Sequence, residues 1–173
     1  MPKTKSPSMP QYEALVAPPP DRFSSSDLFD YQVSRLVEAE LGKAEEFEAL
    51  RSLVPEAGKL FLVVPRKPEV RAKGELDLLV TKLTSKGRGG VNYLDPKYLE
   101  DEVETPKGPY LVLEIEDGRG MLNIAPREAK AKFAKAGRSP LTWFEVYCLY
   151  LSFGEAILGH HNIDCTGSRY GSE

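Results

Sequence analysis

The run Trp143-Phe144-Glu145-Val146-Tyr147-Cys148-Leu149-Tyr150-Leu151-Ser152-Phe153 is apolar on nearly every side of a helical wheel. A helix of that kind must be surrounded by protein, so the rest of the chain has to be built around it. Its start is well marked. Thr142 and Glu145 stand at capping-box spacing, and Leu141 and Val146 at the spacing of a hydrophobic staple. This C-terminal helix is therefore expected to be the central buried element.

The segments upstream supply what packs on it. Ser24-Ser25-Ser26-Asp27 is a run of capping residues, after which Phe29, Val33, Leu36, Val37 and Leu41 recur at helical spacing. A second stripe, Phe47, Leu50, Leu53 and Val54, is closed by Pro55. Lys59-Leu60-Phe61-Leu62-Val63-Val64-Pro65 is a short apolar, β-branched run with breakers on both sides, which predicts a buried strand. Residues 75–83 can be read either way, and Leu76, Leu79, Val80 and Leu83 favour a helical face over alternation. Pro109 to Glu116 is the clearest strand, with Asp117-Gly118 as a hairpin turn and Met121 to Ile124 as the returning strand. Pro126 opens a further helix with Ala129, Phe133 and Ala136 inward, ended by Gly137. Strands and helices do not alternate regularly, and no repeat occurs. The expected fold class is α+β: a single domain with a small, mainly antiparallel sheet packed by helices.

Residues 1–24 form a different zone. They hold six of the 14 prolines, including Pro18-Pro19-Pro20, and few large apolar residues. Such a segment cannot bury enough surface to offset its ordering entropy and is expected to be a disordered tail, with residues 25–173 as the domain. The domain itself is ordinary in composition, with 41% hydrophobic and 28% charged residues, and no apolar run is long enough to span a bilayer. A net charge of −3 gives no electrostatic reason to expect a membrane or nucleic-acid partner. Two cysteines are too few for a disulfide framework, so cytoplasmic residence is expected.

Three motifs resemble an uncharacterised bacterial domain family, a domain of unknown function. They are Tyr110-Leu111-Val112-Leu113-Glu114-Ile115-Glu116-Asp117-Gly118, Gly137-Arg138-Ser139-Pro140-Leu141-Thr142 and Gly167-Ser168-Arg169, set against the family's Y-L-L-x-D-V-D-x-G, G-R-S-P-L-T and G-S-R. Leu62-Val63-Val64-Pro65 also fits, so the resemblance covers roughly residues 28–171. Glu114 and Glu116 stand where the family carries aspartates. The resemblance implies a bacterial origin and one coherent domain; it transfers no catalytic residue. It also implies a further apolar strand after the G-S-R, whereas this sequence ends at Glu173. A chain cut short there would leave a sheet edge open and self-associate through it.

Four groups of residues are candidates for chemistry. Glu114 and Glu116, two apart in a strand, would project from one face and could hold Mg²⁺ or Mn²⁺ for phosphoester hydrolysis, but a solvated strand face is the favoured account of them. His160, His161, Asp164 and Cys165 are ligand types without the pair-of-pairs spacing of structural zinc, so no metal is expected. From Arg66 to Arg88 seven cations, Arg66, Lys67, Arg71, Lys73, Lys82, Lys86 and Arg88, outnumber three acids, a local balance of +4. The tract Lys86 to Tyr93 in it could track a phosphate backbone but lacks a P-loop pattern, and it reads as a loop. The fourth group is the favoured ligand site. Arg138, Ser139 and Thr142 lie at a helix start, where free N–H groups and the dipole attract an anion, with Arg169 as a second cation if the chain returns there.

No motif demands catalysis or a cofactor. The expectation is a non-catalytic binding or interaction module for a protein partner or a small anionic ligand, with a metal-dependent hydrolase using Glu114 and Glu116 as the alternative.

Overall fold

The computed structural model describes residues 24–56, 59–85, 88–116, 119–154 and 164–171. The tail read over residues 1–24 lies outside them apart from Ser24, as do Asp117, Gly118, His160 and His161.

Helix α1 (Ser25–Glu38) begins where the capping residues put it: the Ser24 side chain accepts from the Asp27 N–H and the Asp27 carboxylate accepts from the Ser24 N–H. It buries Phe29, Val33 and Leu36 while Val37 stays 39% exposed. A short helix α2 (Ala44–Phe47) runs into a 3₁₀ segment (Glu48–Leu53), which together bury Phe47 and Leu50. Strand β1 (Phe61–Val64) is buried on both faces. The ambiguous stretch is helical, α3 (Lys73–Thr81), and turns Leu76 and Leu79 inward. The hairpin β2 (Thr84–Ser85) and β3 (Arg88–Gly89), a 3₁₀ turn (Pro96–Tyr98) and β4 (Leu99–Asp101) follow. Strand β5 (Tyr110–Leu113), helix α4 (Pro126–Lys135), helix α5 (Trp143–Phe153) and β6 (Ser168–Tyr170) complete the order.

The sheet is antiparallel but divided into three pairs: β1 with β5, β2 with β3, and β4 with β6. Helix α5 is the centre, burying Phe144, Glu145, Tyr147, Cys148, Leu149, Tyr150, Leu151 and Ser152 against α1 and β1. An α+β domain is what these elements make.

Three local expectations need correction. Strand β5 stops at Leu113, because Glu114 turns into the left-handed region with φ 53°. Residues Met121 to Ile124 are no returning strand: a 3₁₀ turn (Arg119–Met121) and a left-handed Asn123 (φ 61°) occupy them, and β5 pairs instead with β1, Phe61 opposite Leu113 and Val64 opposite Tyr110. In α4 Ala129 is buried and Phe133 only half-buried, while Ala136 is exposed because it already caps the helix. The Arg138 N–H donates to Phe133 O and that of Gly137 to Ala134 O, a Schellman closure with Gly137 at φ 67°.

One buried polar side chain explains how a two-stranded sheet survives at the centre of a core. Gln32 on α1 is fully buried; its Nε2 donates to Phe61 O (3.2 Å) and its Oε1 accepts from the Val63 N–H (2.9 Å). The amide thus serves as a substitute strand on the edge of β1 that β5 leaves unpaired, where orphaned backbone groups would be costly.

Candidate functional site

The start of α5 is where the chain's polar chemistry converges. The Thr142 hydroxyl accepts from the Glu145 N–H, and Glu145 Oε2 accepts from the Thr142 N–H (2.6 Å) and from its hydroxyl (2.9 Å). The other oxygen of this buried carboxylate accepts from the Tyr110 hydroxyl on β5 (2.9 Å). Burial, then the adjacent Glu145 charge, push the Tyr110 hydroxyl far above its ordinary range.

The chain does return to this spot from its C-terminal end. The Gly167 N–H donates to Leu141 O (2.9 Å), and a Cβ at Gly167 would lie 2.6 Å from that oxygen, so only glycine permits the approach. Ser168 Oγ then accepts from the Trp143 N–H (2.8 Å) and donates to Asp101 Oδ1 on β4 (2.6 Å). The other oxygen of Asp101 takes the Lys67 ammonium, which also sits 5.1 Å from the centre of the Trp143 ring. A continuous polar path therefore runs from Lys67 through Asp101 and Ser168 to the first turn of α5.

The four residues singled out in the sequence lie around this junction with partners from the protein itself. Thr142 is committed to Glu145. Arg138 pairs with Glu116 (3.2 Å) and donates to Glu114 O (2.5 Å). Ser139 Oγ donates to Pro140 O (3.4 Å). Arg169 faces away onto Glu100 (3.3 Å) and Glu102 (3.7 Å). Ser168 and Gly167, rather than Arg169, are what the late G-S-R brings to the helix.

Glu114 and Glu116 do not share a strand face, since the strand ends before both. Each carboxylate meets a cation, Glu114 with Lys59 (3.6 Å) and Glu116 with Arg138 (3.2 Å). Among the described residues no group of His, Cys, Asp and Glu is arranged to hold a metal. Asp164 is exposed, and burial followed by the Asp164 charge raises the Cys165 thiol to about 11.

Beside the junction lies an open cleft of about 830 Å³, lined by Arg66, Lys67, Pro68, Glu69, Val70 and Arg71 on one side and by Thr105, Pro106 and Lys107 on the other. Four cations, Arg66, Lys67, Arg71 and Lys107, face one acid, Glu69, a balance of +3 in a chain whose total is −3. Lys67 is engaged by Asp101 and Arg71 by Glu69. Arg66 and Lys107 are exposed, and among the described residues neither has an ion pair or a side-chain hydrogen bond.

The basic tract of the sequence is thus divided. Arg66, Lys67 and Arg71 line the cleft, Lys73 pairs along α3 with Asp77 (3.1 Å), and Lys82 donates to Ala39 O (2.5 Å) and Glu40 (2.9 Å). Lys107 was not visible as a site residue, because its neighbours in space are 36–41 positions earlier in the chain; the prolines around it, Pro106 and Pro109, were the available signal that a strand was being stopped there.

An α+β domain built around an apolar helix, with a cationic cleft at that helix's capped end, is the class of protein these features define. The chain belongs to the family of unknown function DUF5701, which it matches over residues 24–172. The match begins at the N-cap of α1. No curated protein and no solved structure matched the chain. None of the helices among the described residues is long and apolar enough to cross a membrane.

Proposed function

We propose that this domain is a non-catalytic binding module of a bacterial cytoplasmic protein, and that its ligand is an anion held in the cleft between residues 66–71 and 105–107. The observation that carries the reading is the pair Arg66 and Lys107: two cations in one cleft, with no acid from the described part of the protein to neutralise them. A recess lined by one sign of charge concentrates its field and raises the local concentration of the opposite sign. Arginine adds a planar fork suited to carboxylate or phosphate. Lys67 and Arg71 extend the positive surface while already tied to Asp101 and Glu69, so a ligand would compete with those acids.

Trp143, the only tryptophan in the chain, reports on this cleft because Lys67 sits over its ring. Titration with inorganic pyrophosphate is expected to change Trp143 emission saturably, more weakly as salt rises. The double variant Arg66→Ala with Lys107→Ala should lose the response while melting like the parent, since both side chains are exposed. An emission change that survives the double variant, or no change at all, would count against the reading. Addition of Mn²⁺ in the same experiment addresses hydrolase chemistry at Glu114 and Glu116, which predicts stabilisation by the metal that Glu116→Ala removes. The ion pairs of those two carboxylates with Lys59 and Arg138 favour a structural role for them.

A further inference from the structure

The cleft owes its existence to prolines. In the β1–β5 ladder the last pair is Val64 opposite Tyr110, and the next residues outward are Pro65 and Pro109. Proline has no N–H to donate, so pairing ends there and the two chains diverge. The cleft is lined by these two diverging continuations, one leaving β1 and the other entering β5.

The continuation of β1 is left with unused backbone. Residues Arg66 to Val70 belong to no helix or strand, and among the described residues none of their N–H or C=O groups has a hydrogen-bond partner. Pro68 biases Lys67 towards extended backbone, and the segment closes where the Arg71 N–H finds Glu75 Oε2 (2.7 Å). In an extended chain alternate residues send their backbone groups to the same edge. Pro68 interrupts the set formed by Arg66, Pro68 and Val70, so Lys67 and Glu69 are the set with both N–H groups available.

We infer that the occupant of this cleft is an extended acidic peptide segment, paired with the backbone at Lys67 and Glu69 and neutralised by Arg66, Arg71 and Lys107. The inference rests on the reading of the cleft as an anion site and narrows it. Charge complementarity selects an acidic partner, and unpaired backbone, biased towards an extended course before Pro68, selects a chain that can add to it as a strand would. The five residues from Arg66 to Val70, at about 3.3 Å each, make a rail of roughly 16 Å, matched to a peptide of about five to six residues and far longer than a phosphate. A single-stranded nucleic acid would call for stacking rings, and among the described residues no aromatic side chain lines the cleft.

The test uses the whole chain and five probes: hexaglutamate blocked at both ends, the same peptide N-methylated at its odd positions, the same peptide N-methylated at its even positions, a hexathymidylate strand, and inorganic pyrophosphate. Trp143 emission and the amide resonances of Lys67 and Glu69 are the readouts. The unmodified peptide is expected to bind at least roughly tenfold more tightly than pyrophosphate and to shift both amides, since it adds backbone bonds to charge. Methylation of one positional set should cost roughly tenfold with charge unchanged, and methylation of the other set should cost much less. If both methylated peptides bind like the parent, or hexathymidylate binds more tightly than the peptide, the peptide inference is overturned while anion binding stands. Silence of every probe, pyrophosphate included, removes both.

Discussion

Replacing Gln32 with leucine isolates the energetic role of its amide. The substitution keeps most of the side-chain volume at a fully buried position and deletes the donor to Phe61 O and the acceptor for the Val63 N–H. Nothing on α1 can take over, because the two backbone groups lie on the edge of β1 that faces away from β5. Each buried group left without a partner costs about 1–3 kcal/mol, and leucine's greater apolar character returns part of this, so a net loss of about 2–4 kcal/mol is expected. For a domain near 150 residues that corresponds to a drop of roughly 5–15 °C in melting temperature. Gln32→Ala adds a cavity and should cost more.

Urea denaturation followed by circular dichroism gives the free energy, and amide exchange at Val63 gives the local consequence. Gln32→Glu supplies a sharper check on the geometry. A carboxylate can still accept from Val63 but cannot donate to Phe61 O, and its charge would be buried; only the protonated acid restores both bonds. The folded state then favours the protonated form, raising the acid's folded pKa above its unfolded value. Its stabilisation is present below the unfolded pKa and lost as pH rises, so this variant should lag the parent least in acid. A Gln32→Leu protein that melts within about 2 °C of the parent would show that the amide does not close the edge of β1.

Helix α5 should respond unequally at its first two positions. Phe144→Ala is expected to cost about 3–5 kcal/mol because Phe144 is 2% exposed, whereas half-buried Trp143 should cost clearly less; equal losses in chemical denaturation would contradict the helix orientation. The start of α3 carries a pH dependence. Hydrogen bonds from the Arg71 N–H and then the Ala72 N–H hold the Glu75 carboxyl below its ordinary value. Its contribution is therefore present above the unfolded carboxylate pKa and lost as pH falls through the folded one. Acid titration of Glu75→Gln should show a shallower stability loss over that window than the parent, and an unchanged slope would refute the linkage.

The parts of this fold that were legible in the sequence are those specified within a few residues. The run of capping residues at Ser24, the capping box at Thr142, the helix stop at Gly137, and the helical stripe of Leu76 and Leu79 all act over one turn of chain, and each is where its residues put it. Pairing between strands was not legible, because it joins segments far apart. Asp117-Gly118 followed by apolar residues satisfies every local requirement of a hairpin. Yet β5 pairs across to Phe61–Val64, because β1 is buried on both faces and needs its ladder filled more than Leu122, 48% exposed, needs burial. Gln32 was illegible for the same reason. A glutamine on an apolar stripe looks like a defect until the strand it serves lies beside it.

The candidate site follows the same division. Its acids and cations were countable, but which of them remain unneutralised depends on contacts that no spacing rule contains. Arg138 and Arg169 carry the more conspicuous motifs, and both are held by glutamates. Arg66 and Lys107 have no motif at all. They face the same opening only because Pro65 and Pro109 end the β1–β5 ladder at one level and send the two chains apart. A proline that stops a strand is ordinarily a boundary and nothing more. Two prolines stopping two paired strands at the same rung create a gap with unpaired backbone on a wall, and two of the cations on those walls, Arg66 and Lys107, have no ion-pair partner in the described part of the fold. That coincidence, rather than any single residue type, is what the proposed binding site rests on.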